Sequence, residues 1–235
     1  MLLGWSKWAI ARRHGERLSK SPRFCEGGRA IEALSAHPAG CIELGRFCGV
    51  PLRAHPLQAL GGLLANWALL LLAVRLAGGD LSPATLAVVA LAAAAVLQLS
   101  ALAHEYGHAL AARASGQRVE SVVFLLFGGY AWIDLDAAEQ ASPRRAAAIV
   151  AAGPAVSLAL GLGFWAAAAP AASWLPAAGL CCAIAAGMNG MLLAMNMLPL
   201  GPLDGGRLSR LARRWRSGTP NRIRTGDLHL ERVAS

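Results

Sequence analysis

His104 and His108 lie at the two ends of the stretch HEYGH, near the C-terminal end of a long apolar run. On an α-helix, residues four apart lie one turn apart on the same face, so these two imidazoles could bind a single metal ion. Glu105 lies beside them, where its carboxylate could take a proton from water activated by that metal. The spacing therefore predicts two ligands and the general base of a zinc hydrolase site.

A catalytic zinc site of this kind needs a third protein ligand. The acidic candidates downstream of HEYGH are Glu120, Asp134, Asp136 and Asp204. Asp204 is better placed than the other three, because it follows an apolar span and precedes two glycines, which permit close approach of the backbone. An aspartate at the end of a membrane span is costly without a partner, and a cation would compensate its charge.

The composition is typical of a protein embedded in a membrane. Hydrophobic residues make up 56% of the 235 residues and charged residues only 15%, which is too apolar for an ordinary soluble domain. The formal net charge of +9 comes from arginines that flank the apolar segments. Arginines in that position indicate membrane topology, so we expect no nucleic-acid partner.

Four apolar segments are long enough to cross a bilayer. They cover residues 57–77, 84–114, 145–169 and 177–198, with a short apolar turn expected at 170–176. Ser82-Pro83 and Ser142-Pro143 combine a capping serine with a proline in the first turn, which predicts two helix starts. Residues 117–135 are rich in β-branched and aromatic side chains and predict a hairpin. The fold class is therefore an all-α polytopic membrane protein with about four transmembrane helices and a small membrane-associated β-hairpin or sheet.

The charge distribution divides the chain into three parts. Residues 1–55 are basic with poor periodicity and are interpreted as a cytoplasmic, partly disordered extension. Residues 56–212 form the membrane core, and residues 213–235 are interpreted as a disordered tail. The terminal segments and the loop between the second and third spans are rich in arginine, whereas the other two turns have no Lys or Arg. This bias places both termini, HEYGH and Asp204 on the cytoplasmic side.

HEYGH (104–108), FGGYAWI (127–133) and NMLPLGPLDGG (196–206) together resemble the site-2 protease family of intramembrane zinc metalloproteases. The family combines HExxH on one spanning helix with N-x-x-P-x-x-x-L-D-G on another and a short sheet after the first. The resemblance covers about residues 57–210 and is to the compact members that carry no PDZ or CBS domain. It implies that His104, His108 and Asp204 hold one Zn²⁺ ion, that Glu105 is the general base, and that Asn196 positions the substrate or the oxyanion.

The resemblance also implies regulated intramembrane proteolysis of a membrane-spanning protein substrate, in the lipid bilayer of a bacterial inner membrane. One position departs from the family pattern: Ser157 stands where asparagine is common, in the sequence GPAVS (153–157). The alternative is a non-catalytic membrane protein of the same fold that binds a metal or a partner. Glu105 argues against that alternative, because a scaffold has no need of a general base.

Overall fold

The computed structural model describes residues 40–76, 81–125, 128–133, 142–201 and 203–216. The expectations for residues 1–39 and 217–235, and the ligand candidates Asp134 and Asp136, lie outside these residues. The described chain contains nine elements in order: β1 Ile42–Phe47, β2 Val50–Ala54, α1 Pro56–Leu76, α2 Pro83–Ala114, β3 Val119–Leu125, β4 Gly128–Ile133, α3 Pro143–Trp174, α4 Pro176–Asn196 and α5 Asp204–Arg216.

Helices α1 to α4 are long and apolar enough to cross a membrane, by their length and composition. The protein is thus mostly helical with a small sheet, which confirms the predicted fold class. Both predicted helix starts also form as expected. The Ser82 hydroxyl accepts a hydrogen bond from the Thr85 N–H at 3.2 Å, and the Ser142 hydroxyl accepts one from the Arg145 N–H at 3.4 Å.

The turn expected at residues 170–176 was wrong. Helix α3 continues through Pro170 as far as Trp174, and Leu175 alone separates it from α4, which begins at Pro176. A proline inside a helix removes one backbone hydrogen bond and bends the helix, but a membrane helix tolerates this when neighbours pack against it. Pro176 suits the first turn of α4, where its missing N–H would have no partner in any case.

The four strands form one sheet in the order β1-β2-β3-β4. The antiparallel β3–β4 pair is the predicted hairpin, whereas the β1–β2 hairpin was not anticipated. The tight turn at Cys48 and Gly49 has positive φ at both residues. The Arg113 guanidinium donates a hydrogen bond to the Cys48 carbonyl at 2.7 Å. This contact joins residues 65 positions apart, so the sequence of the hairpin by itself does not predict it.

Small residues allow α2 and α3 to pack closely. A methyl group at Gly107 would lie 2.9 Å from the Ala152 carbonyl, too close for any side chain larger than hydrogen.

At the ends of these helices, Leu211 of α5 packs into a buried cluster with Ala112, Ala146, Ile149 and Val150. This packing places α2, α3 and α5 around one point, which is where the predicted site residues lie.

Candidate metal centre

The structure brings His104 and His108 of α2 together with Asp204 at the start of α5. The Nε2 atoms of the two histidines are 3.2 Å apart. Asp204 Oδ2 lies 3.2 Å from His104 Nε2 and 3.4 Å from His108 Nε2. All three side chains are at most 2% exposed. The histidines are one helical turn apart as the spacing predicts, while Asp204 reaches them across about 100 residues of sequence.

Two glycines explain how Asp204 reaches the histidines. A side chain at Gly205 would overlap the Met197 carbonyl, and one at Gly206 would overlap the Leu200 carbonyl. The segment after α4 therefore folds directly onto the first turn of α5. The sequence predicted close approach at these glycines, and the structure shows that it is an approach of backbone to backbone.

The three ligating atoms fit a metal ion. They lie within 4.8 Å of one another. Asp204 Oδ1 is buried and has no hydrogen-bond partner among the described residues, so a bound cation would satisfy it. A side chain at Gly153 would overlap His108 Nε2 and lie 2.7 Å from His104 Nε2, so glycine keeps this space open. Two imidazole nitrogens and one carboxylate oxygen are a donor set typical of catalytic zinc.

The far side of each imidazole is held by α3. His108 Nδ1 donates a hydrogen bond to the Ile149 carbonyl at 2.9 Å, and His104 Nδ1 lies 2.8 Å from the Ser157 hydroxyl. These contacts direct both Nε2 atoms toward Asp204, which is the arrangement that orients metal-binding histidines in proteins. Ile149, Gly153 and Ser157 are four residues apart, so one face of α3 supplies the carbonyl, the open space and the hydroxyl.

Asp204 lies outside the four spanning helices, and its environment favours the ionised form. Burial raises the pKa of its carboxyl group, but hydrogen bonds and charge from His104 and His108 outweigh burial and lower the pKa to about 2. The carboxylate is therefore available as an anionic ligand at neutral pH.

Glu105 is also buried and is oriented by the sheet. Its Oε2 accepts a hydrogen bond from the Ala131 N–H of β4 at 3.0 Å, and a methyl group at Gly129 would lie 3.5 Å from its Cγ. The strand therefore fixes the carboxylate next to the two histidines on α2. The sequence placed Glu105 at the site but did not indicate that β4 would hold it.

Two other predicted residues do not join this group in the described part of the chain. Glu120 is exposed on β3. Asn196 is mostly buried at the end of α4, and its amide donates to the Leu192 carbonyl of its own helix at 3.0 Å. The described contacts show no hydrogen bond between Asn196 and the ligating side chains, so its role in substrate or oxyanion binding remains a prediction.

The serine that departs from the family pattern has a definite contact. We expect Ser157→Ala to weaken zinc binding about 10- to 100-fold, because His104 Nδ1 would lose the partner that orients its ring. Competition with a chromophoric chelator would measure this. Ser173→Ala is the matched control, since Ser173 lies on the same helix but is exposed and donates to the Pro170 carbonyl. Equal zinc affinity in the wild type and Ser157→Ala would contradict an orienting role.

Parts of this chain match a known protein family and two known proteins. Residues 92–177 match the model of peptidase family M50. The chain is 37% identical over 198 residues to Rip3 of Mycobacterium tuberculosis, named as a proposed zinc metalloprotease, covering 83% of this chain and 49% of Rip3. It is 35% identical over 175 residues to the similarly named sll0528 of Synechocystis, covering 71% of this chain and 42% of that protein. The chain thus spans under half the length of these relatives. No solved structure matches it.

Proposed function

Because this chain belongs to peptidase family M50, the site-2 protease family, we propose that it hydrolyses a peptide bond within or near the membrane-spanning segment of a protein substrate. The observation that carries the proposal is the buried group of His104, His108 and Asp204 with Glu105 beside it. This group lies at the end of an apolar helix long enough to cross a bilayer. Such a position suits a substrate that is itself in the membrane.

The site residues in this proposal are three metal ligands and one general base. His104, His108 and Asp204 would hold zinc, which supplies the positive charge that polarises a peptide carbonyl and makes water more acidic. Glu105 takes a proton from the attacking water while the new bond to the carbonyl carbon forms. Glu105 then passes that proton to the amide nitrogen as the C–N bond breaks. The Ala131 N–H holds Glu105 in place during both transfers.

We expect the substrate to bind along the outer edge of β4, next to Glu105. Strand β4 pairs with β3 on one side, and among the described strands it has no neighbour on the other. The Ala131 N–H points to Glu105, so this free edge borders the general base. A helical substrate hides its carbonyls in its own hydrogen bonds. We therefore place an unwound substrate segment along β4 as an added strand.

Cleavage of a tagged single-span protein in proteoliposomes tests this function. We expect cleavage within or beside the spanning segment, faster when a glycine–proline pair loosens the substrate helix there. Removal of zinc with a chelator should abolish cleavage, and added zinc should restore it, because three of the site residues serve only to bind the metal. A gel of the tagged products measures both effects. A protein that binds zinc but leaves every such substrate intact would favour the non-catalytic alternative.

We also place the metal centre at the cytoplasmic side of a bacterial inner membrane. Arginines at the ends of α2, α3 and α5 support this orientation: Arg113, Arg144, Arg145, Arg213 and Arg216. A membrane-impermeant chelator should then stop cleavage in sealed inverted vesicles but not in right-side-out vesicles. The opposite pattern would reverse the proposed orientation without affecting the proposed reaction.

A further inference from the structure

Helix α5 has an exposed arginine face in addition to its metal ligand. Arg210, Arg213 and Arg216 are exposed and recur every three residues, so they share one broad side of the helix. Leu211 on the opposite side is buried, and Leu208 packs against the same apolar cluster at the ends of α2 and α3. The apolar side of α5 is therefore used by the protein itself, and its arginine face points outward.

The opposite side of α5, which carries Leu211 and Trp215, borders a membrane-spanning helix. Arg144 and Arg145 occupy the first turn of α3, at one end of a helix long and apolar enough to cross a membrane. The Arg144 guanidinium lies 5.3 Å from the ring centre of Trp215 near the end of α5. Trp215 is 68% exposed, and tryptophan is enriched at the level of lipid headgroups. A bilayer around the apolar part of α3 would therefore have its headgroups level with the C-terminal half of α5.

The charge at this border is positive. Arg144, Arg145, Arg213 and Arg216 are all exposed. In the part of the chain that the structure describes, no carboxylate forms an ion pair with Arg213 or Arg216. The described acidic side chains lie in the metal centre or on β1 and β3. Guanidinium groups at headgroup depth are complementary to lipid phosphates, which accept two parallel hydrogen bonds from one arginine.

We propose that the arginine face of α5 binds the headgroups of anionic phospholipids. The site would take phosphatidylglycerol in preference to a zwitterionic lipid. This inference requires only that the protein is embedded in a membrane and holds whether or not it is a protease. Because α5 begins at Asp204, the helix that contacts the lipid surface also carries a residue of the metal centre.

Native mass spectrometry of the purified protein in detergent, with equal amounts of phosphatidylglycerol and phosphatidylcholine, tests the proposal. The wild type should retain phosphatidylglycerol preferentially. Arg213→Gln/Arg216→Gln should weaken that retention about 25-fold, at about fivefold for each arginine. Arg210 is left intact, because it also donates to the Gly201 carbonyl at 2.9 Å and its loss could disturb the fold.

Arg46→Gln/Arg118→Gln is the control, because both arginines are exposed on or beside the sheet and Arg46 is paired with Glu43 rather than left open to lipid. This control also removes two positive charges, and it should retain phosphatidylglycerol as the wild type does. Unchanged helix content by circular dichroism would show that both double variants fold. No preference for phosphatidylglycerol in the wild type would overturn the proposal, and so would equal loss in the two double variants.

Discussion

Glu105→Gln is expected to reduce peptide hydrolysis by about 10²- to 10⁴-fold, the usual contribution of a positioned general acid–base group. The glutamine amide has nearly the shape of the carboxylate, and its oxygen can still accept the hydrogen bond from the Ala131 N–H. It cannot accept a proton from water or deliver one to the leaving amine. The variant should therefore keep the geometry of the site and lose the proton transfer.

The tagged single-span substrate measures this loss, and atomic emission measures the zinc content of the same sample. Zinc should be retained, because His104, His108 and Asp204 are unchanged. Glu120→Gln is the matched control, since it makes the same chemical change on an exposed residue of β3 and should cleave at the wild-type rate. Equal processing by the wild type and Glu105→Gln would rule out the proposed general base.

Gly153→Ala is expected to weaken zinc binding at least about 100-fold, more than loss of an orienting hydrogen bond does. The added methyl group would overlap His108 Nε2 and lie 2.7 Å from His104 Nε2, in the space that a shared ion needs. The backbone of α3 cannot move away easily, because its other contacts with α2 are also close at Gly107. The imidazoles must then turn away from Asp204.

Gly163→Ala is a control on the same helix, because nothing lies within 4 Å of the methyl group it would add. It should leave zinc binding unchanged and, if anything, stabilise the helix by about 0.5–1 kcal/mol. Zinc bound per folded protein, with folding checked by circular dichroism, separates a local effect from general unfolding. If Gly153→Ala and Gly163→Ala bind zinc equally well, α3 does not lie against the histidines as the structure shows.

Local patterns in the sequence determined the helices and part of the site. The serine–proline pairs at 82–83 and 142–143 predicted where α2 and α3 begin, and length and hydropathy predicted four spans. The HEYGH spacing predicted that His104 and His108 face the same way. These features depend on residues within a few turns of one another, whose relative positions follow from helix geometry alone.

The predictions that were wrong or incomplete depended on distant residues. The turn expected at 170–176 rested on Pro170, but neighbouring helices can stabilise a helix that contains proline. The β1–β2 hairpin contacts distant parts of the chain: β2 pairs with β3, and the turn accepts a hydrogen bond from Arg113 of α2. No local pattern in residues 42–54 contains that information.

The role of Ser157 and the placement of Asp204 were likewise decided by the tertiary structure. HEYGH alone supplied two ligands and a base, and the sequence favoured Asp204 as the third ligand without showing that it reaches the histidines. Asp204 lies against the histidines because Gly205 and Gly206 let the preceding segment pack onto α5. Ser157 contacts His104 because α3 packs closely on α2. Helix periodicity determines which face a residue occupies, whereas side-chain volumes at helix contacts determine which faces meet.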